Sequence, residues 1–228
     1  MNRLTLEIKV RGDFACFTRP EFGTERVTYE VMTPSAARGI LEAVFWKPEF
    51  RWRVLEIHVL NPIRRASILR NEINEVQKLT ERNYYADEDR AQRHALVLRD
   101  VAYIIKATLD LKPHAIASGV VPMKYVAQFN RRVEKGQCHH QPYLGTREFT
   151  AFFEKPDGTE EAQPISDQFG LMLFDLEFGQ FEGGKLSYVF KDGSGSRIAK
   201  GRAKPKFFRA ELENGVLRVP QDLYGSVT

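Results

Sequence analysis

The sequence predicts an α+β chain: an N-terminal ferredoxin-like domain followed by a small C-terminal β-sheet domain. Two observations carry this. Hydrophobic periods over residues 1–155 run strand, helix, strand, strand, helix, strand, the order of the split βαβ fold. Beyond Lys155-Pro156-Asp157-Gly158 the helical periods stop and short β-forming segments follow, which sets 156–228 apart as a β-rich domain.

The elements follow in order. Leu4, Leu6, Ile8 and Val10 alternate with Thr5, Glu7, Lys9 and Arg11, a strand with one buried face that Gly12-Asp13 is expected to break. Val27–Val31 is a short strand candidate. Thr33 is a good N-cap and Pro34 a good first helical residue, and Ala37, Ile40, Leu41 and Val44 then share one helical stripe. Pro48 ends that helix. Trp52–Leu60 reads as a strand. Residues 61–96 are long and polar and read as a loop, the kind that is usually functional. Alternation returns at Val101, Tyr103, Ile105, Ala107 and Leu109. Pro122–Lys135 predicts a second helix with Met123, Val126, Ala127, Phe129 and Val133 inward and Gly136 as its stop. Arg147–Glu154 is the fourth strand. In the C-terminal part, Gly170–Phe178, Leu186–Lys191 and Lys206–Glu213 are strand candidates. Asn214-Gly215 is a hairpin turn, and 192–204 is a Gly-rich basic loop.

Composition narrows the function. The chain has 228 residues and a formal charge of +4, within the ordinary range for a soluble globular protein. It has no apolar run of the ~18 residues that a membrane span needs. The charged N-terminus lacks the apolar core of a signal peptide, and two unpatterned cysteines fit a reducing cytoplasm. The charge is unevenly spread. Lys47–Arg70 holds six bases to two acids, Lys124–Lys135 four to one, and Lys191–Arg209 seven to one, while 146–182 holds nine acids to two bases. Three basic blocks that could converge on one face point to phosphate binding. The third strand carries Tyr103 but no aromatic-rich run, so base stacking on the sheet face is not expected.

Cys138-His139-His140 lacks a second ligand pair at metal spacing, so no metal is expected, and no phosphate-loop or hydrolase motif is present. Metal-free cleavage of RNA needs a base for the 2′-hydroxyl, an acid for the leaving 5′-oxygen and a cation for the phosphorane. Lys47, Lys124, Tyr125, Arg131, Arg132, His139, His140 and Tyr143 could supply them.

Residues 12–52, GDFACFTRPEFGTERVTYEVMTPSAARGILEAVFWKPEFRW, resemble the opening of the Cas5 family of subtype I-C, Cas5d, which processes CRISPR repeats. FNRRVEKGQCHHQPYLGTREF at 129–149 resembles its central motif, and LRNE at 69–72, QRHALVLRDVAYII at 92–105 and FFRAELENGVLRVP at 207–220 resemble further segments in the same order. The resemblance spans nearly the whole chain. It implies a metal-independent endoribonuclease without cofactor. Such an enzyme cuts CRISPR precursor RNA in each repeat, leaves a 2′,3′-cyclic phosphate, and then holds the 5′ handle beside Cas-seven-type backbone and Cas-eight-type large subunits. It also implies binding of double-stranded DNA by some members. The family's proposed catalytic set falls on Phe45, Lys124 and Tyr125; only the lysine keeps the family's residue type. The candidate catalytic residues are therefore Lys124, Tyr125, His139 and His140. Trp46, Lys47, Arg64, Arg65, Arg70, Arg131, Arg132 and Lys135 are the candidate RNA contacts. A weakly active or inactive handle-binding subunit, and a general nucleic-acid binder, stay open as alternatives.

Overall fold

The computed structural model describes residues 4–23, 25–73, 90–180, 186–192 and 195–225, with only the backbone described for 180, 186–192 and 195–199. Its elements are β1 (Leu6–Ala15), β2 (Arg26–Val27), α1 (Pro34–Val44), β3 (Phe50–Val59), β4 (Arg64–Ile73), β5 (Arg90–Leu111), α2 (Pro113–Ala117), α3 (Pro122–Glu134), β6 (Phe152–Glu154), β7 (Asp167–Gln180), β8 (Leu186–Asp192), β9 (Gly195–Glu213) and β10 (Val216–Arg218).

Strands β6-β1-β5-β3 lie side by side and antiparallel, with the first and third strands of the motif central. With α1 after β1 and α3 after β5, this is the ferredoxin-like arrangement that the sequence predicted. The sheet does not stop there. β10 pairs with β3 on one side and β9 on the other, and β9 pairs with β7, so one antiparallel path crosses residues 155 and 156. Asn214 and Gly215 form the tight turn between β9 and β10 with φ of 47° and 75°, the left-handed geometry that such hairpins require. A Cβ on Gly215 would lie 2.3 Å from the Gln163 carbonyl oxygen, so the turn also sits against the incoming chain.

Both helices form for the reasons the sequence offered. The Thr33 hydroxyl accepts from the Ala36 amide, Pro34 opens α1, and Ala37, Ile40, Leu41 and Val44 are buried. In α3, Tyr125, Val126, Phe129 and Val133 are buried, whereas Met123 and Ala127 are exposed and face outward instead of into the core. Trp52, Phe50, Phe129 and Phe45 are among the largest fully buried side chains, and they join α1, β3 and α3.

Several expectations are corrected. Gly12-Asp13 does not break β1, which continues to Ala15. A Cβ on Gly12 would lie 2.5 Å from Leu144 Cδ1, so this glycine serves a close approach. The polar stretch 61–96 is not a loop where described: Arg64–Ile73 pairs residue by residue with Arg90–Arg99 as an antiparallel ribbon, and 74–89 lies outside the described residues. The basic segment 192–204 is likewise mostly strand, paired with β8 and then β7; 193–194 lie outside the described residues. The expected strand Arg147–Glu154 shrinks to Phe152–Glu154, because Thr146–Phe149 closes a turn instead. The strand expected over Val27–Val31 is Arg26–Val27, paired parallel to β5.

Candidate nucleic-acid interface

The last carbonyls of a helix have no intrahelical partner and must find one elsewhere. At the end of α1 they are taken up by distant parts of the chain. The His139 amide donates to the Ala43 carbonyl at 2.7 Å, Arg132 donates from its guanidinium to the Val44 carbonyl at 2.7 Å, and the Trp52 indole donates to the Phe45 carbonyl at 2.8 Å. The turn that follows is fixed at its far side, where the Lys112 amide donates to the Glu49 carbonyl at 2.8 Å. Between these ties, Trp46, Lys47 and Pro48 are exposed, Trp46 by 55 %. An exposed indole beside an ammonium group suits a nucleobase and its phosphate.

The first turn of α3 faces this turn. Tyr125 is buried, with its ring centroid 5.3 Å from that of Phe50 and 6.1 Å from that of Phe45. Arg132, one face further along α3, sits 5.4 Å over the Phe45 ring. The Tyr125 hydroxyl is pushed above the ordinary tyrosine range, first by burial and then by the charge of the nearby Glu49 carboxylate. It is thus protonated at neutral pH and can donate a proton. Lys124 is exposed beside it. Among the described residues neither Lys47 nor Lys124 has an ion-pair partner.

The structure therefore gathers Phe45, Trp46, Lys47, Tyr125, Arg132 and the His139 backbone around one helix end. His139 and His140 have exposed side chains, with ring centroids 5.9 Å apart and edge-on. Arg131 and Lys135 are exposed on α3 and just after it. Arg64, Arg65 and Arg70 lie on a different element, β4, and each already faces a carboxylate. Arg64 contacts Asp100 at 3.2 Å, Arg65 contacts Glu30 at 3.3 Å, and Arg70 contacts Glu148 and, at 3.9 Å, Glu72. Among the described residues no three His, Cys, Asp or Glu side chains gather as a metal ligand set, and no helix is long and apolar enough to cross a membrane. Sequence reasoning passed over Glu49. Its one signal was a carboxylate directly after the Trp-Lys-Pro run, and only the packing of α3 brings Tyr125 within reach of its charge.

The model of the family described as CRISPR-associated protein (Cas_Cas5), Cas5d, matches residues 5–220. The chain belongs to the Cas5d family. Among its relatives is a protein of Thermus thermophilus named CRISPR pre-crRNA endoribonuclease Cas5d, 47 % identical over 219 residues, covering 96 % of this chain and 93 % of the relative. A protein of the same name from Mannheimia succiniciproducens is 42 % identical over 237 residues, covering 96 % of this chain and 95 % of the relative. Two solved structures share the fold. One is a functionally uncharacterized protein from Streptococcus mutans (TM-score 0.64, 21 % identity, 96 % of this chain and 94 % of the other). The second is a CRISPR-associated protein (TM-score 0.64, 22 % identity, 96 % and 92 %).

Proposed function

We propose that this chain cuts CRISPR precursor RNA within the repeat, by attack of a ribose 2′-hydroxyl on its own 3′-phosphate, and then retains the 5′ handle. The observation that carries this reading is end-to-end similarity to two relatives named for that activity, at 47 % and 42 % identity. The site's chemistry is compatible with it. Lys124, exposed and without an ion-pair partner among the described residues, can hold the scissile phosphate and protonate the leaving 5′-oxygen. Tyr125 can handle the proton of the 2′-hydroxyl. His139 and His140 are the reserve proton carriers in this proposal. Trp46, Lys47, Arg131, Arg132 and Lys135 would grip the RNA on the same side, and Arg64, Arg65 and Arg70 would do so along β4 once they release their carboxylates. The route needs no metal, because positioning and fixed charge supply the acceleration. In the same reading, 1–155 is the ferredoxin-like RNA-binding body and 156–228 the β-rich part that extends its sheet. Backbone and large subunits of the surveillance complex are the protein partners, and duplex DNA is a further ligand.

A second reading rests on Phe45 and Tyr125. Phe45 is fully buried and cannot carry a proton, and Tyr125 is held protonated. These two residues favour a subunit that binds the repeat and cuts it slowly. Incubation with the cognate repeat RNA in EDTA, beside the same RNA bearing one 2′-deoxy nucleotide at the cut site, separates the two. Cutting of the first RNA alone is the expected result. Tight binding with no cutting of either leaves the handle-binding subunit.

A further inference from the structure

The first turns of α1 lie at the opposite end of that helix from Trp46 and Lys47. The segment 138–145 runs back along the helix to reach them. It begins where the His139 amide meets the Ala43 carbonyl at 2.7 Å and ends at Gly145. A Cβ on Gly145 would lie 2.0 Å from the Cys16 carbonyl oxygen, and its φ is 86°, so glycine lets this segment close on the end of β1.

A cleft of about 250 Å³ opens there. Phe17 and Thr18, just after β1, form one wall. Tyr143 and Gly145 form the next, and Leu173 of β7 the third. The Leu173 amide donates to the Tyr29 hydroxyl at 3.2 Å, which fixes that wall. The N-cap Thr33 and the α1 residues Ser35 and Gly39 lie along the floor. No residue lining the cleft is charged. Phe17, Tyr143 and Leu173 offer apolar surface, while Thr18, Thr33 and Ser35 offer hydroxyls. The Thr33 hydroxyl already accepts from the Ala36 amide at 3.3 Å and lies 3.1 Å from that of Ser35. A hydroxyl has one proton to give and two lone pairs, so Thr18 and Ser35 keep capacity for a ligand. An uncharged cleft of this kind suits a nucleobase with its ribose better than a phosphate.

Gly39 points the same way. It is exposed in the middle of an eleven-residue helix, where glycine is destabilising relative to alanine. A Cβ there would meet no atom of the chain within 4 Å. Packing inside the molecule therefore does not require the missing side chain, whereas close approach of a ligand does.

We infer that this cleft holds one nucleoside of the repeat RNA, splayed out of the strand beside the cut. This rests on the RNA-processing reading above and adds a place where a base is read. The base stacks on the Tyr143 ring and passes over Gly39, and its ribose meets the hydroxyls of Thr18 and Ser35. The path from Trp46 follows α1, whose eleven residues span about 16 Å. The exposed His139, His140 and Gln141 flank it. A stacked strand advances ~3.4 Å per nucleotide, so the captured nucleoside lies within about five nucleotides of the one at Trp46.

The test uses the full chain and the cognate repeat RNA, with a single abasic nucleotide placed at successive positions on either side of the cut. One abasic position should weaken wild-type binding about tenfold, as loss of a stacked base does. Tyr143→Ala should lose about as much with the intact RNA. Gly39→Leu fills the cleft and should also lose about tenfold, after which the abasic nucleotide costs nothing more. Gly39→Ala guards against a folding artefact. It should raise the melting temperature by about 2 °C and still weaken repeat binding, which a glycine kept for the fold alone would not do. Undiminished binding by Gly39→Leu, or the same small loss at every abasic position, overturns the nucleoside cleft and leaves the nuclease reading intact. Wild-type binding without cutting overturns the nuclease reading, and the abasic scan then still decides the cleft for a handle-binding subunit. No repeat binding by the wild type overturns both.

Discussion

One arginine of α3 meets the end of α1 and several line the β4–β5 ribbon, and the two regions use them differently. Arg132 points its guanidinium at a backbone carbonyl that has no helical partner and lies over a buried ring. Arg64 and Arg65 are each half-exposed and meet exposed or partly exposed carboxylates at 3.2 and 3.3 Å. An arginine that completes a helix end is part of the scaffold. One that idles against a surface carboxylate can exchange that partner for a phosphate at small cost, because such pairs contribute little in water. The two regions thus differ in what folding itself fixes: the helix end is built, while the ribbon's charges are free to exchange partners. Lys47 and Lys124 form a third case, cations on a fixed frame with no ion-pair partner among the described residues.

The sharpest way to break this contrast is at Lys124. Lys124→Ala should slow cleavage by about a hundredfold with little loss of repeat binding, checked by single-turnover rate and filter binding. An equal loss in both would make it a grip residue like the others. Next comes Arg132→Ala, expected to cost about 2 kcal/mol in urea unfolding, since it strands a helix carbonyl next to an aromatic core. Arg65→Ala should cost no more than about 1 kcal/mol in the same assay. Similar values for both would erase the distinction between scaffold and provisional arginines. The smallest effect belongs to Lys47→Ala. It should lower the slope of log binding constant against log salt by about one, with stability unchanged; an unchanged slope would remove Lys47 from the RNA path.

Much of the fold was readable in the residues because it follows from one-sided burial. The alternation of Leu6, Ile8 and Val10, the Thr33 cap with its Ala37–Val44 stripe, and the Asn214-Gly215 turn each state their geometry locally. The β4–β5 ribbon was not readable for the complementary reason. In RRASILRNEI most side chains on both faces are exposed or only half-buried, so no binary pattern arises, and pairing comes from the backbone of residues 90–99. The basic stretch after Gly195 escaped likewise. For the site, the resemblance led to Lys124 and Tyr125 and to the loss of a titratable group at Phe45. Glu49 was hidden because its influence on Tyr125 depends on α3 folding back over the turn, where the Tyr125 ring meets Phe50, 75 residues earlier, and no local period encodes that. Family membership follows from the comparison over residues 5–220, while the roles of individual residues rest on geometry and await the variants above.

The carbonyls at the end of α1 draw their donors from β3, from α3 and from the segment after α3. No one of these segments can leave without exposing an acceptor that the others helped to cover. The corner therefore opens as a unit or stays closed. If RNA docks there, as proposed, it would meet a surface whose ordering entropy was already spent during folding, and recognition at this end should proceed without a waiting step for the turn to form.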